Sequence, residues 1–511
     1  MLHSEMLTTV LKAAPTYSKQ FVVNVTYWAQ LPILRNRPWW YAVVVRNGSQ
    51  QAVRNSGLHL KRRIFINSIL SGVGTSVVSA CGGATGSGES LLTTQVTPQV
   101  AQVPTGSPSA VAGSGVNVPN APNSAANPAG TPVWVPSEGA LQTVSTANTF
   151  LSQNGNVVGW EYAFGKIVDD YSGGVYNPYW GALGAMVFHG GGHSATFDNS
   201  VVVLDYNDLT FKRVSNPTQS ANGANWTFSN MDPAFNPVYA EYGDGQPGSG
   251  HTYDTLAILP PAQGGGAMGS LVRVGSHAVH PGVVRGTTHA HRFDFESAAR
   301  SAGTWTRWTV NALKGQPSGA CSAYDPVRGR FWNIGGLSSQ PSLIRYVDVA
   351  SRESREVAFA KGAGLAPPAN PDSMTMRYDP TLDLLVLSCT VGNALRLAFL
   401  RCGAPERGWT EATLSSPIPS MAQWTHPFDF VPQANKFVMF SPADTSAVFD
   451  LVVPADPTQT WQMTRQALRS GGTLKSAYVA GKRWSYSPAT RCFVWMASST
   501  SAVVAYRPVG V

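Results

Sequence analysis

The chain has 511 residues, with 36 Lys and Arg against 28 Asp and Glu and a formal charge of +8. The excess is local, because residues 1–80 hold nine basic residues and one acid, Glu5, leaving 27 of each sign in residues 81–511. A neutral body lacks the electrostatic footprint for gripping phosphates, which excludes a nucleic-acid partner on charge.

Residues 1–57 contain apolar stretches such as Phe21 to Val25, but none of the ~20 apolar residues that a membrane span requires. They are expected to be an upstream extension missing from the mature protein, with translation starting at Val53 or Leu58 through a non-AUG codon. Residues 58–81 read as a leader. Lys61-Arg62-Arg63-Ile64-Phe65-Ile66-Asn67 opens an apolar, glycine-dotted segment that ends Val78-Ser79-Ala80-Cys81. This resembles a bacterial twin-arginine signal closed by a lipobox, with departures at Lys61 and Asn67. The resemblance implies export and lipidation of Cys81, giving a periplasmic or outer-membrane-anchored lipoprotein that meets the membrane through lipid alone. Residues 82–137 follow as a flexible Gly/Ser/Pro/Ala linker. Ser90 to Ser137 carry no charge, and Trp134 is their only aromatic residue, so too little apolar surface is available to offset the cost of ordering them.

From residue 138 to 511 the pattern is one of short strands. Tyr176-Asn177-Pro178 leads into the run Met186 to Phe188, then His189-Gly190-Gly191-Gly192 and the strand Val201 to Asp205. His251-Thr252-Tyr253-Asp254 leads through glycines 264–266 into Leu271 to Val274 and then His291 to Phe295. Four later units repeat one motif: Tyr324-Asp325-Pro326, Tyr378-Asp379-Pro380, Phe430-Val431-Pro432 and Tyr486-Ser487-Pro488, at intervals of 54, 52 and 56 residues. Each is followed by an apolar run: Phe331 to Ile334, Leu384 to Leu387, Phe437 to Phe440 and Phe493 to Met496. Third strands are expected at Ile344 to Val349, Leu395 to Leu400, Ala447 to Val452 and Val503 to Tyr506. Fourth strands are expected to carry Trp308, Trp409 and Trp461.

A period near fifty built from short strands predicts an all-β propeller, since one small sheet cannot bury both of its own faces. Continuous apolar second strands fit sheets covered on both sides. The count is six blades, with seven as the alternative. The sixth unit ends after its third strand, so a segment within 133–160 is expected to close it and remove a free edge.

Gly190-Gly191-Gly192-His193, the Asp-ended third strand and the fourth-strand Trp residues resemble kelch repeats of the galactose oxidase central-domain superfamily. That resemblance implies the fold over about 140–511. It leaves function open, since such propellers serve as oxidases, lectin-like binders and scaffolds. Copper-radical chemistry is not expected, because the Tyr-His dipeptide of those oxidases is missing, as are sialidase Ser-x-Asp-x-Gly-x-x-Trp boxes. The remaining cysteines, Cys321, Cys389, Cys402 and Cys492, form no disulfide framework and read as buried apolar residues.

Seven of ten histidines lie between His189 and His291. Loops from second to third strand, and loops entering first strands, open on one propeller face. That rule gathers His193, His251, Tyr253, His277, His280 and Arg285 over blades one and two, with Trp424 and His426 reaching the same face from blade five. Imidazoles on a rim ligate metals or act as acid and base near neutral pH. His193 and His251 are the weak metal candidates, with a divalent ion as the cofactor they would take. Hydrogen bonding to loop carbonyls is the alternative role for the set. Trp180, Trp226, Tyr239 and Tyr242 are candidate sugar platforms, and Asp244 with Asp254 a candidate Ca²⁺ pair. The expected function is a monomeric ligand-binding module for a glycan or an envelope protein. The alternative is an enzyme, hydrolase or lyase, acting on extracellular polysaccharide.

Overall fold

The computed structural model describes residues 134–511 apart from 146–166, 168–171, 192–197, 216, 219–231, 276, 281–282, 287, 296–302, 314–320, 335–341, 366–372, 422–423, 470–471, 478–480 and 499–500. It is an all-β, six-bladed propeller. A segment ahead of the ring supplies β1 (Leu141–Ser145). Blade one is β2 (Gly174–Asn177), β3 (Ala185–His189), β4 (Val201–Asp205) and β5 (Thr210–Arg213). A two-residue strand, β6 (Gly250–His251), precedes blade two, whose first two strands are β7 (Leu256–Leu259) and β8 (Ser270–Arg273). The hairpin β9 (His277–His280) and β10 (Val283–Gly286) then interrupts the blade before β11 (His291–Phe295) and β12 (Gly303–Arg307) complete it.

Blade three is β13 (Cys321–Asp325), β14 (Arg330–Ile334), β15 (Leu343–Asp348) and β16 (Ser354–Ala358). Blade four is β17 (Thr375–Asp379), β18 (Leu384–Val391), β19 (Ala394–Arg401) and β20 (Thr410–Glu411). Blade five is β21 (Phe428–Val431), β22 (Lys436–Ser441), β23 (Asp444–Val452) and β24 (Gln462–Ala467). Blade six is β25 (Ser485–Ser487), β26 (Cys492–Met496) and β27 (Val503–Tyr506). β1 completes it, running antiparallel to β27 with Leu141 opposite Tyr506 and Thr143 opposite Val504. The segment expected to close the last blade does so, and β27 keeps no open edge there.

Each of the six seams between neighbouring blades carries its own apolar cluster. Val187, Val203, Leu271 and Phe293 join blades one and two. Met186, Phe188, Val494 and Val503 join blade one to blade six, which shuts the ring. The second strands are buried along nearly their whole length for this reason, since both faces of every sheet are covered.

The Tyr-x-Pro repeat has a mechanical origin. The middle residue caps the turn that follows: Asp325 Oδ1 accepts from the amides of Val327 and Arg328, and Asp379 Oδ1 from those of Thr381 and Leu382. Pro pre-sets the turn. The aromatic residue clasps a neighbouring turn: Tyr486 Oη donates to Gln433 Oε1 of blade five at 2.9 Å, and Tyr324 Oη to Gln263 of blade two.

Three expectations need correction. The first strand of blade two is Leu256–Leu259 and not His251–Asp254. Its version of the repeat is Ile258-Leu259-Pro260, where loss of the aromatic residue and turn cap hid the motif. The three Trp residues flank fourth strands instead of lying in them, because their side chains fill the seams. Trp180 is fully buried, edge-on to Phe295 at 5.6 Å in the blade one–two core, and Tyr242 is also buried. Neither is a sugar platform. Trp226 and His193 lie outside the described residues.

Candidate functional site

The propeller axis is closed by charge. Asp254, at the entrance of blade two, accepts from the Met376 amide at 2.9 Å and from Arg377 Nη1 at 3.1 and 3.2 Å. Arg377 Nε lies 3.3 Å from Asp429 Oδ1 on blade five, and Asp429 Oδ2 accepts from the Tyr486 amide of blade six at 2.9 Å. Lys482, leading into blade six, spans the centre. Its Nζ donates to the carbonyls of Asp254 (2.8 Å), Leu256 (2.6 Å) and Ser322 (2.6 Å). Two cations face two carboxylates, and five of six blades are tied through them. Burial lowers Lys482 to about 8, while three carbonyl acceptors hold the ammonium form. Asp429 keeps some solvent contact, with its side chain 22 % exposed. The buried surroundings of its inner oxygen nevertheless push its carboxyl above the usual range by desolvation, against the pull of Arg377.

Just ahead of Asp254 in the chain, β6 joins a small sheet in the order β10-β9-β6. His251 is directly opposite His277 in its ladder, and Val283 is opposite His280. The ladder thus brings the backbone at positions 251 and 277 together, with 280 and 285 on the same hairpin. His251 Nδ1 lies 2.9 Å from Tyr253 Oη, with the rings edge-on. Tyr253 has φ +43, a left-handed conformation costly for an aromatic residue. Its neighbours hold it there: Thr252 Oγ1 donates to the His189 carbonyl and accepts from the Gly173 amide, while Asp254 is locked in the hub.

Trp424 and His426 meet at a different place. Thr390 Oγ1, near the end of β18, donates to the Trp424 carbonyl at 3.2 Å and lies 3.3 Å from His426 Nδ1. His426 is fully buried, and burial lowers it to about 4. It serves as a neutral packing group between blades four and five, not as a rim ligand.

The sequence reading missed a second polar layer, at the top of the blade one–two seam. Leu256, Arg273, His291 and Arg307 are successive partners across blade two. Glu241, from the connection between blades one and two, accepts from His291 Nε2 at 2.8 Å and from Arg307 Nε and Nη2 at 2.9 and 2.5 Å. Burial opposes ionisation of Glu241, but these hydrogen bonds outweigh it and hold the carboxyl at about 2. Burial lowers His291 to about 4, so it is neutral near pH 7 with its proton on Nε2, donated to Glu241. Arg273 Nη1 donates to His189 Nε2 at 3.2 Å, and burial brings Arg273 down to about 9.

Neither the Asp244–Asp254 pair expected to hold Ca²⁺ nor a second acidic cluster found in the structure has the form of a cation site. Asp244 accepts from Thr218 and Gln246 while Asp254 pairs with Arg377. Asp325, Asp383 and Cys402 bring ligand atoms within 4.8 Å of one another. The Arg328 guanidinium already bridges both carboxylates, however, at 3.0 and 2.5 Å. The four cysteines of the described residues are free and buried, with Cys389 and Cys492 pushed up to about 12 by burial.

No protein-family model matches the chain, and no curated protein matches it. Among solved structures, it is similar to an auxiliary nutrient binding protein from Bacteroides ovatus ATCC 8483, at 11% identity over 66% of this chain and 69% of that one, TM-score 0.38. It is also similar to Kuenenia stuttgartiensis hydrazine synthase, at 10% identity over 66% and 83%, TM-score 0.36. A third is Penicillium chrysogenum alpha-L-arabinanase, at 9% identity over 66% and 92%, TM-score 0.38.

Proposed function

We propose that the chain is a ligand-binding propeller that takes a glycan on the face above blades one and two. The observation carrying this reading is the His251–Tyr253 pair, an imidazole and a phenol 2.9 Å apart and largely buried where β6 leads into the Asp254 hub. Such groups hydrogen-bond to hydroxyls without needing net charge, and residues 81–511 carry equal numbers of each sign. The hub favours docking on the face over threading through the centre, because Lys482 and Arg377 fill that path.

The kelch assignment is part of the proposal, supported by the turn after β3. Gly190 and Gly191 have φ +115 and +110, and a Cβ at Gly190 would lie 2.7 Å from the Gly250 carbonyl oxygen. Export through residues 58–81 and lipid anchorage at Cys81, followed by the linker 82–137, place the propeller at the cell envelope in this reading. Residues 58–133 lie outside the described part of the chain, and the last residues of the linker region belong to the ring, since Trp134 is buried in the blade six–one seam. An envelope protein is the second class of partner.

A glycan-array screen of residues 134–511 tests the proposal. Retention of neutral glycans that changes little with salt is expected, whereas steep weakening by salt points to a charged partner. The enzyme reading is favoured by one observation, the raised and partly exposed carboxyl of Asp429 on the axis, which suits a general acid. Release of reducing ends from a retained polysaccharide, abolished in Asp429→Asn, would establish it.

A further inference from the structure

Residues 232–249 are built as a flap. They fold on themselves through backbone bonds from Asn236 to the Glu241 carbonyl (2.7 Å), Tyr242 to Gln246 (2.9 Å) and Gly248 to Ala240 (2.8 Å). Asp232 caps the amides of Ala234 and Gly243. The flap buries Tyr242 against Phe235, and beside it one charged side chain reaches blade two: Glu241, only 3 % exposed. Its oxygens meet His291 on β11 and Arg307 on β12. The residue just before it, Ala240, has φ +56. A left-handed alanine costs roughly 1 kcal/mol and persists only where its surroundings enforce it.

The anchors continue toward the ligand face. Asn199 Nδ2 donates to the Pro247 carbonyl at 3.0 Å, Arg273 Nη1 donates to the Gly248 carbonyl at 2.7 Å, and two residues later the chain becomes β6 with His251. Arg307 also covers the Tyr239 ring at 3.5 Å, so the same guanidinium grips the flap twice.

We infer that Glu241 is a positioning residue, the latch that holds the 232–249 flap on blade two and thereby sets β6 and His251 at the ligand face. Its purpose rests on the binding reading above, but its test needs no ligand, so the two stand or fall separately. Hydrogen exchange of the full chain, resolved by mass spectrometry, is the measurement. Glu241→Gln keeps the shape and removes the charge. The latch predicts at least ~10-fold faster exchange in peptides covering 236–251, with blades three to five unchanged. Arg307→Met, at a position 38 % exposed and so tolerant of change, should give the same local pattern if Glu241→Gln fails to fold. Ala240→Gly should leave exchange in the flap slow, since it only relieves backbone strain. Unchanged exchange in 236–251 would overturn the inference, as would acceleration spread evenly over all blades.

Discussion

The Lys482 ammonium lies 2.8 Å from the Asp254 carbonyl oxygen, joining the entrances of blades six and two across the propeller axis. That bond belongs to a hub in which blade two also reaches blade four through Asp254 and Met376, and blade four reaches blade five through Arg377 and Asp429. The blades are therefore held at two radii, by apolar seams outside and by paired charge within. The centre of the ring is thus a closed floor rather than a pore.

Removing one member of this hub should be costly. Lys482→Met takes a charged donor from three buried carbonyls, of which that of Asp254 still accepts from the Ser322 amide, and leaves two carboxylates short of a cation. A loss of roughly 3 kcal/mol or more is expected from chemical denaturation. Arg355→Ala, which breaks an exposed pair with Glu353, should leave the midpoint unchanged. A Lys482→Met protein as stable as the parent would show that the carbonyls find other partners.

Acid should weaken the fold in a window set by buried imidazoles. His291 and His426 are both lowered to about 4 by burial, and His189 lies well below its ordinary value of 6.5. Below pH 6.5 the unfolded chain takes up protons at these sites while the folded chain does not, so stability falls from about pH 6.5 down to pH 4. The fully expressed shifts of His291 and His426 are each worth roughly 3 kcal/mol. Glu241 acts lower: its stabilising effect is present above its ordinary value of 4.5 and is lost as pH falls toward 2. Denaturation midpoints from pH 8 to pH 4 check this, and His426→Gln should flatten the slope by about one proton.

Closure of the ring depends on the strand ahead of it. A truncated chain beginning at residue 147 lacks both β1 and Trp134, which packs in the blade six–one seam. It should expose the β27 edge and aggregate. A chain beginning at residue 134 should remain in solution with cooperative melting. Size-exclusion chromatography of the two separates these outcomes.

The ring was legible because its repeat is enforced by geometry. Tyr324, Tyr378 and Tyr486 recur because each clasps a turn, and Asp325 and Asp379 recur because each caps one. Blade two broke the pattern with Ile258 and Leu259, and its first strand was misplaced. The site was less legible because its residues come from unrelated loops. His251 and Tyr253 were readable as neighbours in sequence. Glu241 reaches His291 across 50 residues, and Asp254 reaches Arg377 across 123. A signal was present: Arg377 in Thr375-Met376-Arg377-Tyr378 and Asp429 in Phe428-Asp429-Phe430 are charges inside apolar strands, which fold only when paired.

The most direct test of the ligand face is titration calorimetry of residues 134–511 with the best glycan from an array, comparing parent, Tyr253→Phe and His251→Ala. Tyr253→Phe removes one oxygen and the buried bond to His251 Nδ1, so it should lower stability by roughly 1 kcal/mol while the protein stays folded. The account predicts at least ~10-fold weaker binding in both variants. Equal affinity in all three correctly folded proteins would place the ligand elsewhere and contradict the reading.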